Sequence, residues 1–173
     1  VGLICFTDQI EAYIPPRKGS KHVLRVIREL LAIEPQSKGT DIGSALEFLN
    51  KVQKKRAIVF LVSDLEERNW QKQLQIANRR HDVVAVSTND GAETTLPKAG
   101  LMRIEDPESG KTCVIDTSNK RVRRAWDQLA NESRIAIEQT LRRSRVDQIK
   151  VKTGEPFTNA LRQFFKRREA RRA

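Results

Sequence analysis

An α/β fold, a doubly wound and mostly parallel sheet with helices on both faces, is predicted by three observations. Residues 57–65, AIVFLVSDL, open with six consecutive apolar residues and close on Ser63 and Asp64, the pattern of a strand buried on both faces inside a parallel sheet. Residues 82–88, DVVAVST, form a second run of the same kind. Between them a stretch from about 70 to 80 places Trp70, Leu74 and Ala77 on one side of a helix. Strand, helix and strand in that order, with another helical segment ahead of them, wind a parallel sheet through right-handed crossovers.

The remaining elements follow in chain order. Residues 1–7 and 10–14 read as two strands, and the short link Thr7-Asp8-Gln9 makes them an antiparallel hairpin. Pro15 and Pro16 close the second strand and suit an edge position. Ser20 is the expected N-cap of a helix whose Val23, Val26, Ile27, Leu30, Leu31 and Ile33 fall three and four apart, ending at Pro35. A second helix, 41 to about 53, buries Ile42, Ala45, Leu46, Leu49 and Val52, and Lys54-Lys55-Arg56 sets positive charge at the negative end of its dipole. Strands at 101–105 and 111–115 flank a five-residue loop as a peripheral hairpin within 100–117. The longest helix, 119 to about 145, carries an intermittent stripe of Val122, Trp126, Leu129, Ala130, Ile137 and Leu141. Residues 148–152, QIKVK, alternate as a strand at the far edge of the sheet. A last helix begins near Pro156, buries Phe157, Leu161, Phe164 and Phe165, and ends in a basic tail, 156–173. Without repeats or low-complexity linkers, a single domain over 1–173 is expected.

A chain of 173 residues can bury roughly 70% of its unfolded surface, so a core needs no staples. Cys5 and Cys113 show no CxxC or Cys/His spacing, which argues against a disulfide framework or a zinc site. No run approaches a membrane helix and VGLICF lacks a basic leader, so a cytoplasmic setting is expected; the start at Val1 points to a fragment or a processed chain. The net charge of +11 is uneven: residues 1–118 hold 17 Lys/Arg against 16 Asp/Glu, and residues 119–173 hold 16 against 6. A basic end of that kind invites nucleic acid, an anionic surface or an acidic protein. Phe164 and Phe165 inside it fit helix docking better than base stacking, so nucleic acid is the less favoured partner.

Ligands of open α/β sheets sit outside the carboxyl ends of the strands. Asp64 falls at that end of the central strand, and Thr40 in KGTDIGSAL falls at the mouth of the preceding helix. A carboxylate and a hydroxyl there are hard donors suited to magnesium. The plainer alternative is that Thr40 or Asp41 caps the helix and Ser63-Asp64 makes a local turn. His22 and His81 lack a nucleophile arranged beside them, and Gly39 and Gly43 flank Thr40 without the lysine of a phosphate loop. Glu66 and Glu67 read as solvated loop residues, and Trp70 and Trp126 as core.

GTDIGSALEFLNKV, KKRAIVFLVSDL, RRHDVVAVSTND, RVRRAW and ALRQFFKRRE, in this order, resemble bacterial proteins of domain-of-unknown-function family 58. That resemblance implies a von Willebrand factor A-like domain, a setting beside a MoxR-type AAA+ ATPase, and a metal-ion-dependent adhesion site in which Thr40 and Asp64 are ligands. The family's first metal motif, Asp-x-Ser-x-Ser, does not occur in this chain, and the strand carrying it would stand between the strands at Val1 and Ile58. Magnesium is therefore expected to bind this chain very weakly or not at all. A central strand with three large buried side chains contributes on the order of 5 to 9 kcal/mol, comparable to a typical domain's stability. Its absence implies either a homodimer through open sheet edges or a rearranged strand order. The expected function is a non-enzymatic protein-interaction module acting with the ATPase on an unknown client in assembling or remodelling a complex. The alternative is a basic nucleic-acid or anionic-surface binding module using the last helix.

Overall fold

The structure, a computed structural model, describes residues 1–67, 69–89, 95–106 and 110–170. In chain order it places β1 (Leu3–Phe6), β2 (Ile10–Ile14), α1 (Ser20–Ala32), α2 (Ile42–Val52), β3 (Ile58–Ser63), α3 (Gln71–Arg80), β4 (Asp82–Asn89), β5 (Leu101–Glu105), β6 (Thr112–Asp116), α4 (Lys120–Arg143), β7 (Asp147–Lys152) and α5 (Phe157–Ala170). Every expected helix and strand is present within a few residues of its predicted bounds; residues 107–109 of the peripheral hairpin's loop and the far end of the tail, 171–173, lie outside the described residues.

Among the described residues the strands form three sheets. β3, β4 and β7 pair in parallel, Ile58 opposite Asp82 and Val84 opposite Asp147. β1–β2 and β5–β6 are separate antiparallel pairs. The strands therefore do not re-pair: β1 and β3 each keep a single neighbour among the described residues. Each strand of the parallel sheet directly follows a helix, so helix ends and strand starts share one end of the sheet, and the loops leaving the strands share the other.

Side chains alternate across a strand, so β4 serves two cores. On one face Val83 and Ala85 join Leu61, Ile42 and Leu46 of α2, Leu74 and Ala77 of α3, and Leu141 at the end of α4. On the other, Val84 and Ile149 pack against Phe164 of α5. Helices thus cover both faces, as the apolar periodicity requires.

Several burial expectations are corrected. β3 is an edge strand open on one face, with Ile58 63%, Phe60 45% and Val62 57% exposed, because α5 lies over β4 and β7 and does not reach it. The stripe of α1 is also largely open: Val26 is buried, whereas Leu31 is 82% exposed. Ser20 is the first residue of α1 and makes no capping bond; Gly19 holds the cap position at φ 100°. Phe157, Phe165 and Leu129 are exposed, and Trp126 is half-buried.

Candidate functional site

Three loops meet at the end of the sheet where the strands finish. The tip of the β1–β2 hairpin is tied to the loop ahead of α2 by Asp41 N–H, which donates to the Thr7 carbonyl at 2.9 Å. Gly39 lies so close to Asp8 that an added Cβ would stand 3.3 Å from its side chain. The loop after β3 is tied to the same place by the Ile42 N–H, which donates to the Glu67 carboxylate. Glu11 braces the assembly, accepting from the Thr7 hydroxyl at 2.7 Å and from the Gln36 and Ser37 N–H groups at 3.2 and 3.3 Å. The Thr7 hydroxyl, foremost among these donors, holds the Glu11 carboxyl below the usual range.

The start of α2 is the electrostatic centre of this rim. Asp41 is its N-cap, accepting from the Ser44 N–H at 2.7 Å and the Ser44 hydroxyl at 2.6 Å. The Ser44 hydroxyl is the largest cause of a lowered Asp41 pKa. Glu67 brings a second carboxylate to the same first turn, where the helix dipole and the orphan N–H groups favour negative charge. It is half-buried and bonded, not a solvated loop residue, and its partner is 25 positions away in sequence. Buried Trp70 fixes that loop by donating its ring N–H to the Glu67 carbonyl at 2.6 Å.

Between Asp64 and Glu67 the backbone turns through Leu65, which adopts a left-handed φ of 67°. A bulky non-glycine residue there is an outlier. It is held by complete burial of its side chain and by its N–H, which donates to the Ser63 hydroxyl at 3.1 Å. Asp64 itself is exposed, its Oδ1 accepting from the Ser63 hydroxyl at 3.2 Å and the Glu66 N–H at 3.3 Å. Thr40 is half-buried in the loop just before Asp41. The loops carrying Thr40 and Asp64 are therefore joined through the Ile42–Glu67 bond. The plainer reading also holds locally, since Asp41 does cap α2 and Ser63-Asp64 does form a turn.

Asp41 and Glu67 are bonded at the start of α2, whereas Asp64, Glu66 and Asp8, the last of them against Gly39, are exposed carboxylates of the rim. Among the described residues no group of three or more His, Cys, Asp or Glu could hold a metal ion. A hard divalent cation needs about six oxygens. His22 sits half-buried in the first turn of α1 with a ring nitrogen 2.9 Å from the Val1 carbonyl, whereas His81 is buried at the opposite end of the sheet, beside the start of β4. No described helix is long and apolar enough to cross a membrane.

Comparison with known proteins places this geometry in context. The family described as "Protein of unknown function DUF58" matches residues 1–136. An uncharacterised protein of Mycobacterium tuberculosis is 28% identical over 100 residues, covering 56% of this chain and 32% of that protein. The chain thus spans about a third of the length of that curated relative. An uncharacterised protein of Mycobacterium avium is 25% identical over 160 residues, covering 90% of this chain and 93% of that one. Among solved structures, the conserved hypothetical protein BatB of Bacteroides thetaiotaomicron shares the fold at TM-score 0.53 and 14% identity, covering 96% of this chain and 77% of that one.

Proposed function

The chain belongs to the DUF58 family, and from that premise we propose that it is a non-enzymatic protein-interaction module whose contact face is the rim of loops at the carboxyl ends of the strands. The observation that carries this reading is the convergence of the Thr7, Asp41 and Asp64 loops on the first turn of α2, cross-bonded between loops and held in part by a strained Leu65. Backbone strain of order 1–3 kcal/mol persists where surrounding structure over-determines it, and such places cluster at functional sites. Thr40 and Asp64 are, in this proposal, a hydroxyl and a carboxylate of a metal-ion-dependent adhesion site whose remaining ligands this chain does not carry. The partner is a MoxR-type AAA+ ATPase, engaged in assembling or remodelling a complex with a client of unknown identity.

The test is a calorimetric titration with magnesium and with manganese. Three proteins are compared: this chain, a longer form carrying an Asp-x-Ser-x-Ser segment ahead of Val1, and the longer form with Asp64→Ala. The expected result is saturable binding by the longer form alone, lost in Asp64→Ala, with little or no heat from the chain by itself. Silence from all three would remove the adhesion-site reading.

A further inference from the structure

The opposite end of the parallel sheet has a different character. Helices α2, α3 and α4 finish there, each just ahead of a strand, with Lys51, Arg79 and Arg80, and Arg142 and Arg143 in their last turns. Cations at helix C-termini are ordinary partners of the dipole, so their presence alone assigns nothing. The groove between the end of α4, the start of β7 and α5 offers more. It has a volume of about 480 Å³, a buried apolar floor of Leu141, Val146 and Phe164, and a rim of Arg142, Arg145 and Arg167.

The arginines at this place divide into two kinds. Arg168 is already engaged: it donates to both Asp82 oxygens at 2.7 and 2.8 Å, to Asp147 at 2.8 Å, and lies over the Phe164 ring. The groove's other carboxylate, Glu138, is held by Lys150 at 2.6 Å and Arg134 at 2.9 Å. By contrast, no hydrogen bond or ion pair among the described residues occupies the guanidinium of Arg142, Arg145 or Arg167.

The backbone under Arg145 is a second, independent observation. α4 ends in a Schellman turn, with the Val146 N–H donating to the Leu141 carbonyl at 3.0 Å and the Arg145 N–H to the Arg142 carbonyl at 3.1 Å. The residue in the left-handed conformation is Arg145, at φ 55°. Glycine is the usual choice there because a Cβ is penalised. The turn is fixed from both sides, by Asn78 Nδ2 on the Ser144 and Arg145 carbonyls at 3.1 and 3.0 Å and by Leu141 and Val146 in the core. Glycine would cost less here, and what the arginine adds is a guanidinium at the rim of the groove.

We infer that this groove binds an extended acidic segment of another protein, seating an apolar side chain on the Leu141–Val146–Phe164 floor and pairing flanking carboxylates with Arg142, Arg145 and Arg167. Guanidinium forks match carboxylates in bidentate geometry. The apolar floor distinguishes this occupant from a nucleic-acid backbone, whose phosphates are held by charge, and from a planar lipid surface, which does not reach into a groove. The site lies at the other end of the sheet from Thr40 and Asp64 and stands independently of the adhesion-site proposal.

The test measures fluorescence anisotropy of a labelled peptide of alternating glutamate and leucine, with the whole chain as wild type, Arg142→Ala and Arg145→Gly. Arg145→Gly relieves the left-handed strain, so its unfolding midpoint should match or exceed that of wild type while binding falls. Saturable binding is expected, weakened about tenfold or more in each variant and by a similar factor when serine replaces the peptide's leucines. Absence of binding at millimolar peptide, equal binding by the variants, or equal binding of the serine peptide would each overturn the inference. So would tighter binding of a single-stranded oligonucleotide or of phosphatidylserine vesicles, lost in the same variants.

Discussion

Phe60 of β3 and Val84 of β4 are neighbours across the parallel sheet and point to the same face, yet Val84 is fully buried and Phe60 is 45% exposed. Over β4 and β7 that face is roofed by α5, with Phe164, Leu161 and Ala160 on Val84, Val86, Ile149 and Val151. Over β3 no described helix takes the same position, and Ile58, Phe60 and Val62 form an open stripe. The other face is not divided in this way: Val59 and Leu61 share one core with Val83 and Ala85 beneath α2 and α3. Alternation along a strand creates two faces. Whether either is dry depends on which element comes to lie on it, and α5 is positioned by contacts far from β3.

The largest expected effect separates the roofed half from the bare half. Phe164→Ala should cost about 3–5 kcal/mol, the usual range for emptying an aromatic site in a core. Phe60→Ala should cost less than about 1 kcal/mol, as for an exposed position. Urea midpoints at unchanged slope measure both. Equal costs would break the comparison and show that the stripe is covered in solution. A Phe60→Ala cost that appears only at high protein concentration would identify the cover as a second copy seated on this face.

The elements themselves were legible because each depends on local periodicity: the apolar run of β3, the spacing of α2 and the alternation of β7 all form where expected. Coverage was not legible. A run of six apolar residues cannot distinguish a strand covered on both faces from one covered on a single face, and the stripe of α1 cannot say that little will pack on it. The rim around Thr40 and Asp64 could be anticipated from the rule that ligand loops follow parallel strands. Its internal bonding could not, because Glu67 meets Ile42 across 25 positions and leucine at Leu65 carries no turn signal. Arg145 was hidden for the same reason, since only the backbone shows an arginine standing in a glycine position.

A smaller effect concerns what holds the roof in place. Arg168 joins α5 to Asp82 and Asp147, the first residues of β4 and β7, with side chains that are 22%, 21% and 31% exposed. Arg168→Met would remove the charge-assisted bonds that α5 makes to both carboxylates. Breaking a buried pair costs about 3–5 kcal/mol, and the partial exposure here reduces the expectation to about 1–3 kcal/mol. Arg167→Met, one position away and outside that network, should stay within about 0.5 kcal/mol. Chemical denaturation of the two variants sharpens the comparison, because equal losses would mean that apolar packing alone seats α5 and that the Asp82–Arg168–Asp147 cluster does not fix which half of the face is covered.

The smallest effect is a pH dependence at the start of β4. His81 precedes β4, is 1% exposed, and has no hydrogen-bond partner for either ring nitrogen among the described residues. Burial, with the nearby Arg80 charge as the lesser cause, lowers its pKa below the ordinary value of 6.5. The unfolded chain therefore takes up a proton at this residue that the folded chain resists. The stability that His81 permits is complete above about pH 6.5 and declines as pH falls through that value. Thermal midpoints measured at about pH 7.5 and about pH 5.5 should fall on acidification in the wild type and fall less in His81→Leu, which has no proton to gain. An unchanged drop in His81→Leu would assign the acid sensitivity to carboxylates such as Asp41 and Glu138, whose lowered pKa values act at still lower pH. It would also mean that water reaches His81, so that the start of β4 is not sealed even though Val83 and Val84 just after it are buried.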